Sequence, residues 1–518
     1  MSSDQIQGDP AEHYLNIASQ FQLGDLPTEA RHPSTNDLSE LSVKNLGQAI
    51  EKFKQVEIDS LTSLGTKARA LGQLRSSIDS AISQGKRVFL VGCGATGRLS
   101  LTLETLWREI NADNPEKVDR VVSFMAGGDY ALVRSIENFE DHPEYGERQL
   151  TDLGFSEGDL LIATTEGGET PFVIGAVEAA AKLSKRRPWF LFCNPAEALK
   201  LRLERSRRVL NNPGIISHSF ETGPMAISGS TRLQASTVLM LAVGSAMFAR
   251  TDSEIPQLIN EHTKNLKDTD FSKLAFLIEK ESACYLAGKS SVYVVGGKSF
   301  SDAITVLTDT TERSPTFSLR PFENVDTDAN TEASWTYLAL EQVEDASNAW
   351  KTILRREPRA LSWDGFSEKF GAKVLPGFDF SKASIARRKK LKVHGIEIFI
   401  AGSKNKTTFT VDKKTIELPR PEHPLLAQLH LKCSMNIISS LVMGRVGRFQ
   451  GNVMLYVRAS NNKLIDRSIR YVQALFTDAG SVPPAYEVVC RELFKVIPTL
   501  KPEDSAVLKT YEALKSKS

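Results

Sequence analysis

The sequence predicts an α/β protein: two doubly wound parallel-sheet domains in tandem, followed by a small helical cap. Three observations predict it. Short continuous apolar runs alternate with helical periodicity, as strands buried on both faces do when crossover helices join them. Each run ends in a turn rich in glycine or threonine, where ligands sit in such sheets. The pattern of the first half then returns, with Val292 lying on Val88. The chain divides as an N-terminal arm (1–37), a first domain (38–255), a second domain (256–465) and the cap (466–518).

In chain order, residues 1–12 are polar and read as disordered. Leu26-Pro27-Thr28-Glu29 and His32-Pro33-Ser34-Thr35 read as turns, and the stretch from Leu38 to Gln84 as helical. Val88 to Val91 is the opening strand. Gly92, Gly94 and Gly97 then remove the Cβ atoms that would block a tight turn, with Thr96 supplying a hydroxyl at the bend. Leu99, Leu103, Leu106 and Ile110 recur on one face of the helix that follows. A glycine turn feeding a helix N-terminus presents free N–H groups and the positive end of the helix dipole, so it attracts phosphate. Arg98 stands where a Walker loop has lysine. Gly92, Gly94 and Gly97 fit G-x-G-x-x-G, but no acidic residue closes a clean second strand about 20 residues on, which favours a phosphorylated small molecule over a nucleotide.

Further strands are expected at Val121–Met125, ending in Gly127-Gly128-Asp129, and at Asp159–Thr164, ending in Thr165-Glu166-Gly167-Gly168-Glu169-Thr170-Pro171. A helix over Phe172–Leu183 and a strand over Trp189–Cys193 follow. In the second half, Ser291–Val295 repeats the opening strand, but Lys298 and Phe300 replace small residues in its turn, so one anion site is expected rather than two. Ser228–Arg250 and His430–Arg448, alike in alternating small and apolar residues, are read as long helices closing each half.

Lys+Arg 64 against Asp+Glu 63 advertises neither nucleic acid nor membrane lipid as a partner. Cys93, Cys193, Cys284, Cys433 and Cys490 form no CxxC pair, which argues for reduced thiols inside a cell and against a zinc site. No metal and no cofactor are expected. Without a signal-like start or an apolar run near ~18 residues, the expected location is the cytoplasm. The run Arg387-Arg388-Lys389-Lys390 is a candidate nuclear import signal, with a solvated loop cluster as the commoner reading.

GCGATGRL, AGGDYALVRSIENFED (Ala126–Asp141), GGETPFVIG (Gly167–Gly175), CNP (Cys193–Pro195) and GPMAISGSTRLQAST (Gly223–Thr237) resemble, in order and spacing, the sugar isomerase (SIS) domain of N-acetylmuramic acid 6-phosphate etherases. The two-domain length and GNVMLYVRASNNKL (Gly451–Leu464) are more similar to the glucokinase regulatory protein family, a fused double-SIS relative. The resemblance implies SIS-type, flavodoxin-like domains forming a pseudo-dimer with one site for a hexose 6-phosphate or 1-phosphate. It implies binding through Gly94, Ala95, Thr96, Gly97, Thr165, Gly167, Glu169, Arg232 and Lys463, while Thr96 and Thr165 also read as turn or cap residues and Arg232 as a structural ion-pair partner.

It also implies two carboxyls. Glu140 matches one etherase glutamate; the other has no counterpart at Leu106-Trp107-Arg108, but Glu312-Arg313-Ser314-Pro315-Thr316 carries it in the second half, from where Glu312 is expected to reach the same site. In an etherase such a pair does acid–base work; in the regulatory family it holds sugar hydroxyls. The leading expectation is therefore a sugar-phosphate-binding regulator, with a hexose kinase as candidate partner. The alternative is an etherase-like carbon–oxygen lyase, or a sugar-phosphate isomerase, acting through Glu140 and Glu312. Ala95, Glu169, Met225 and Gln234 depart from the family pattern. Glu169 departs most, because a carboxylate facing phosphate opposes binding unless it pairs with Arg232, turns outward, or the ligand differs.

Overall fold

The computed structural model describes residues 9–21, 23–136, 139–296, 301–313, 334–501 and 503–517. The second-half turn at 297–300, with Lys298 and Phe300, and the Ser314-Pro315-Thr316 stretch lie outside the described residues, as do Glu137 and Asn138 of the Ala126–Asp141 motif.

The first half forms a five-stranded sheet from β1 (Val88–Gly92), β2 (Val121–Met125), β3 (Leu160–Thr164), β4 (Trp189–Phe192) and β5 (Ile216–Ser219), in the order β2-β1-β3-β4-β5. Every pairing is parallel. β1, β2, β3 and β4 are buried along their whole length, which explains their unbroken apolar runs. β5, half-buried at the edge with the sequence Ile-Ser-His-Ser, has no such run, and the sequence did not announce it.

The second half departs from the expected copy. β6 (Ser290–Gly296), β7 (Thr336–Leu340) and β8 (His394–Gly402) are parallel, but β9 (Lys406–Val411) and β10 (Lys414–Pro419) add an antiparallel hairpin, giving a mixed sheet in the order β10-β9-β8-β6-β7. Asp412 and Lys413 turn that hairpin, both with positive φ (48° and 65°), the two-residue geometry whose twist suits a hairpin.

Other expectations shift by local physics. Asp9 caps a helix, Pro10–Ile17, that packs against the Tyr486–Val496 helix, so residues 10–12 are helical rather than disordered. The long helix expected from Ser228 begins only at Gln234, because Gly229 takes φ +68° and Ser228–Leu233 forms a turn. Its counterpart starts earlier, at Pro424, and runs to Arg445. By length and composition this helix alone among the described residues is apolar enough to cross a membrane, yet 94% of that apolar window is buried inside the fold. Ile110 ends its stripe exposed (52%) while Leu99, Leu103 and Leu106 are buried. In the basic run, Arg388 is buried with its guanidinium over Tyr337, Arg387 pairs with Asp379 and Lys389 with Glu397 (2.8 Å), so three of its four residues are engaged within the fold.

The helices Ala95–Ile110, Gln234–Phe248, Ser301–Thr311 and Pro424–Arg445 pack together between the halves, and one apolar core runs through both. A second-half segment also clasps the first half. Arg356 donates to Asp129 (2.6 Å) and Glu104 (3.1 Å), and Arg359 pairs with Glu104 (2.9 Å). Trp363 stacks on Phe139 and donates its indole N–H to Asp152. Burial pushes the Glu104 carboxyl up, but Arg356, Arg359 and Arg108 outweigh it and hold it at about 2.

Removing one partner from so buried a pair leaves uncompensated charge. R356A is therefore expected to destabilise the protein by about 3–5 kcal/mol in urea denaturation, whereas K351A, from the exposed Lys351–Glu357 pair, is expected to change it by less than about 1 kcal/mol.

Candidate functional site

In a 2-1-3-4-5 sheet the strand order reverses between β1 and β3, and the loops leaving those two strands part to open a crevice at their C-terminal ends. A cavity of about 420 Å³ lies there. Its first wall is the glycine turn after β1. A Cβ on Gly92 would lie 2.3 Å from the Thr96 backbone, and one on Gly97 would lie 2.4 Å from Met125 Cβ, so only glycine lets strand and helix meet this closely. Gly94, at φ +54°, leads into the Ala95–Ile110 helix without a side-chain cap, leaving the helix N-terminus facing the cavity through Gly94 and Ala95.

The Thr96 and Thr165 hydroxyls are turned into the loops. Thr96 Oγ1 bonds the Cys93 backbone on both sides, and Thr165 Oγ1 bonds Thr170 Oγ1 and accepts from Gly168 N. Both residues are about 1% exposed, and with Gly97, Gly167 and Glu169 they stand behind the lining rather than in it.

Glu140 and Glu312 both line the cavity, one from each half. Glu140 accepts from Asn461 Nδ2 (2.6 Å) and from the Cys93 thiol (3.1 Å). Glu312 faces Arg98 at 3.7 Å. Burial raises its carboxyl above the ordinary range, Arg98 and Arg232 oppose that, and the charge of Glu140 adds to it. Arg98 is fixed in turn by donating to the carbonyls of Ala131 and Leu132 and to Thr311 Oγ1.

Arg232 reaches the cavity from the Ser228–Leu233 turn, but its guanidinium is committed to Asp309, Asn436, Ser439 and Ser440. Glu169 pairs neither with Arg232 nor with solvent. It is buried between Arg205 (2.8 Å) and Lys463 (3.1 Å), which overcome its burial and hold its carboxyl at about 2. Lys463 opens the Asn462–Asp478 helix, whose cap residue Asn461 holds Glu140 and whose Arg467 lines the cavity. Arg467 is itself gripped by Glu29 of the N-terminal arm at 2.6 Å.

Four lining residues were not singled out from sequence. Glu166 is 8% exposed and its Oε1 has no hydrogen-bond partner among the described residues. Burial is the main reason its carboxyl rises to about 7, with Glu312 adding and Lys463 subtracting. Ser230 Oγ is likewise buried without a partner. Arg134 and Arg458 also line the cavity, and no carboxylate among the described residues pairs with either. A carboxyl inside a glycine turn was the one available signal for Glu166.

The family profile of the glucokinase regulatory protein N-terminal SIS domain matches residues 71–181. An N-acetylmuramic acid 6-phosphate etherase from Trichodesmium erythraeum is 32% identical over 222 residues, 43% of this chain and 66% of that protein. Another, from Thermosynechococcus vestitus, is 31% identical over 228 residues, 44% of this chain and 68% of that protein. This chain thus spans about two thirds of the length of such relatives. Among solved structures, the tagatose-6-phosphate ketose/aldose isomerase from Escherichia coli aligns with 82% of this chain and 97% of its own at 14% identity and TM-score 0.41.

Glu166 gives the site a measurable pH signature. Its carboxyl titrates near 7 when folded and near 4.5 when exposed, so the native state holds the extra proton between those values and stability falls as pH rises through that window. The stability of wild type relative to E166Q is expected to drop on the order of 1–3 kcal/mol between pH 4.5 and pH 8 in urea denaturation.

Proposed function

Since the chain belongs to the SIS-domain family that includes the N-acetylmuramic acid 6-phosphate etherases, we propose that it binds a hexose phosphate, 6- or 1-phosphate, in the cavity between its halves and acts as a regulator. The observation that carries this reading is the composition of the cavity wall. An uncapped helix N-terminus from the first half, Glu312 from the second and Lys463 from the C-terminal helices meet around one space. The helix N-terminus with Arg134 and Arg458 suits a phosphate dianion, and Glu140 and Glu312 suit sugar hydroxyls. A ligand seated there touches three distant segments of the chain at once. Binding that prefers one arrangement of those parts shifts the population toward it, which is the physical requirement for a sensor. A hexose kinase is the candidate partner to receive that signal.

One observation favours a second reading, a lyase or isomerase. Glu140 and Glu312 share the cavity, and Glu312 is biased toward its protonated form. A charged carboxylate can take the proton beside a sugar carbonyl while a protonated one delivers a proton to the departing ether oxygen, after which water adds.

Thermal unfolding with fructose 6-phosphate, fructose 1-phosphate and N-acetylmuramic acid 6-phosphate separates the readings. At about 100 times the dissociation constant, a hexose phosphate is expected to add about 2.7 kcal/mol of stability and to be recovered unchanged. Lactate released from the muramic compound by wild type, and lost in E312Q, would establish the lyase instead. No stabilisation by any of the three would refute both.

A further inference from the structure

The cavity holds one acidic group that the sugar-phosphate reading leaves without work. Glu140 is satisfied by Asn461 and Cys93, and Glu312 faces Arg98. Glu166 lies at the end of β3, 92% buried by its 8% exposure, with Oε1 turned to no donor among the described residues. The cations nearest to it are already engaged. Lys463 pairs with Glu169, and Lys432 donates to the carbonyls of Arg232 and Leu233 and to Thr237 Oγ1. An unpartnered buried carboxyl oxygen is costly, and a ligand that donates to it relieves that cost. Ser230 Oγ, 3% exposed and also without a hydrogen-bond partner among the described residues, is a second such group on the same lining.

We propose that the cavity selects an amino-sugar phosphate, the ligand's free ammonium seated at Glu166 between Glu140 and Glu312 while its phosphate faces the Gly94–Ala95 turn. The inference rests on the sugar-phosphate reading and narrows its ligand class. A ligand carrying both signs of charge matches a lining that carries both: a helix N-terminus without a side-chain cap and two arginines that pair with no carboxylate among the described residues, together with the carboxyls of Glu140, Glu166 and Glu312. A hexose phosphate without an amine offers hydroxyls to Glu140 and Glu312 but no cation to the buried Glu166 carboxyl. An ammonium also brings three donors, enough for a carboxyl oxygen and a neighbouring hydroxyl together. Burial that drives Glu166 toward its protonated form is offset when a cation arrives, so binding favours the carboxylate–ammonium pair.

Calorimetric titration of the whole protein at pH 6.5 with glucosamine 6-phosphate, glucose 6-phosphate and N-acetylglucosamine 6-phosphate tests this. At that pH an amine of pKa about 7.7–8 is charged. Glucosamine 6-phosphate is expected to bind about tenfold or more tighter than either analogue without a free amine, and E166Q to bring the three within about twofold of one another. Equal affinities in wild type, or a preference that survives in E166Q, would overturn the inference while leaving sugar-phosphate binding intact. Binding of none of the three would overturn the sugar-phosphate reading and the inference with it. The wild-type comparison needs no variant, so poor folding of E166Q leaves the test decisive.

Discussion

A parallel sheet that reverses its strand order leaves the first crossover helix with its N-terminal N–H groups uncovered, and the rest of this molecule is arranged around that exposed positive pole. The Gly92 and Gly97 contacts bring the Ala95–Ile110 helix close against β1 and Met125, and no side chain among the described residues caps its N-terminus. The pole therefore faces a space. Water would fill that space in an isolated half, but here it is walled by groups from elsewhere in the chain.

Those groups come from three directions. The second half supplies Glu312 and, through Arg356, Arg359 and Trp363, a clasp on the segment that carries Glu140. The Asn462–Asp478 helix supplies Asn461, Lys463 and Arg467, and the N-terminal arm locks Arg467 through Glu29. Burial raises the Glu29 carboxyl, yet Arg467 and Arg470 keep it near 2, so the arm is held by a charge that stays ionised. The site is thus an assembly of distant segments joined by buried ion pairs. Pairs of this kind are poor sources of net stability but are strongly disrupted when one member is lost.

How much of this was legible follows from the same physics. β1, β2, β3 and β4 are buried on both faces, and burial on both faces writes itself as an unbroken apolar run. The β9–β10 hairpin alternates instead, and edge strand β5 carries little apolar residue, so neither stood out. Ser228–Leu233 hid inside a helix-like texture because its turn depends on a single positive φ at Gly229. Glu140 and Glu312 were visible through the resemblance, as was the idea that they meet across the halves. Their supports were not. Asn461 lies 321 positions from Glu140 and Arg205 lies 36 from Glu169, separations no local pattern encodes. Glu166 was passed over because what distinguishes it is its burial with one oxygen unpartnered among the described residues, and only packing reveals that.

One cavity, built at the first helix N-terminus and closed by the second half, is proposed to hold one phosphorylated sugar per chain. A crystal structure of the protein grown with a saturating hexosamine 6-phosphate tests it directly. A single ligand is expected, its phosphate against Gly94 and Ala95 and its ring between Glu140 and Glu312. A phosphate bound instead at the turn following β6, or one in each half, would contradict it.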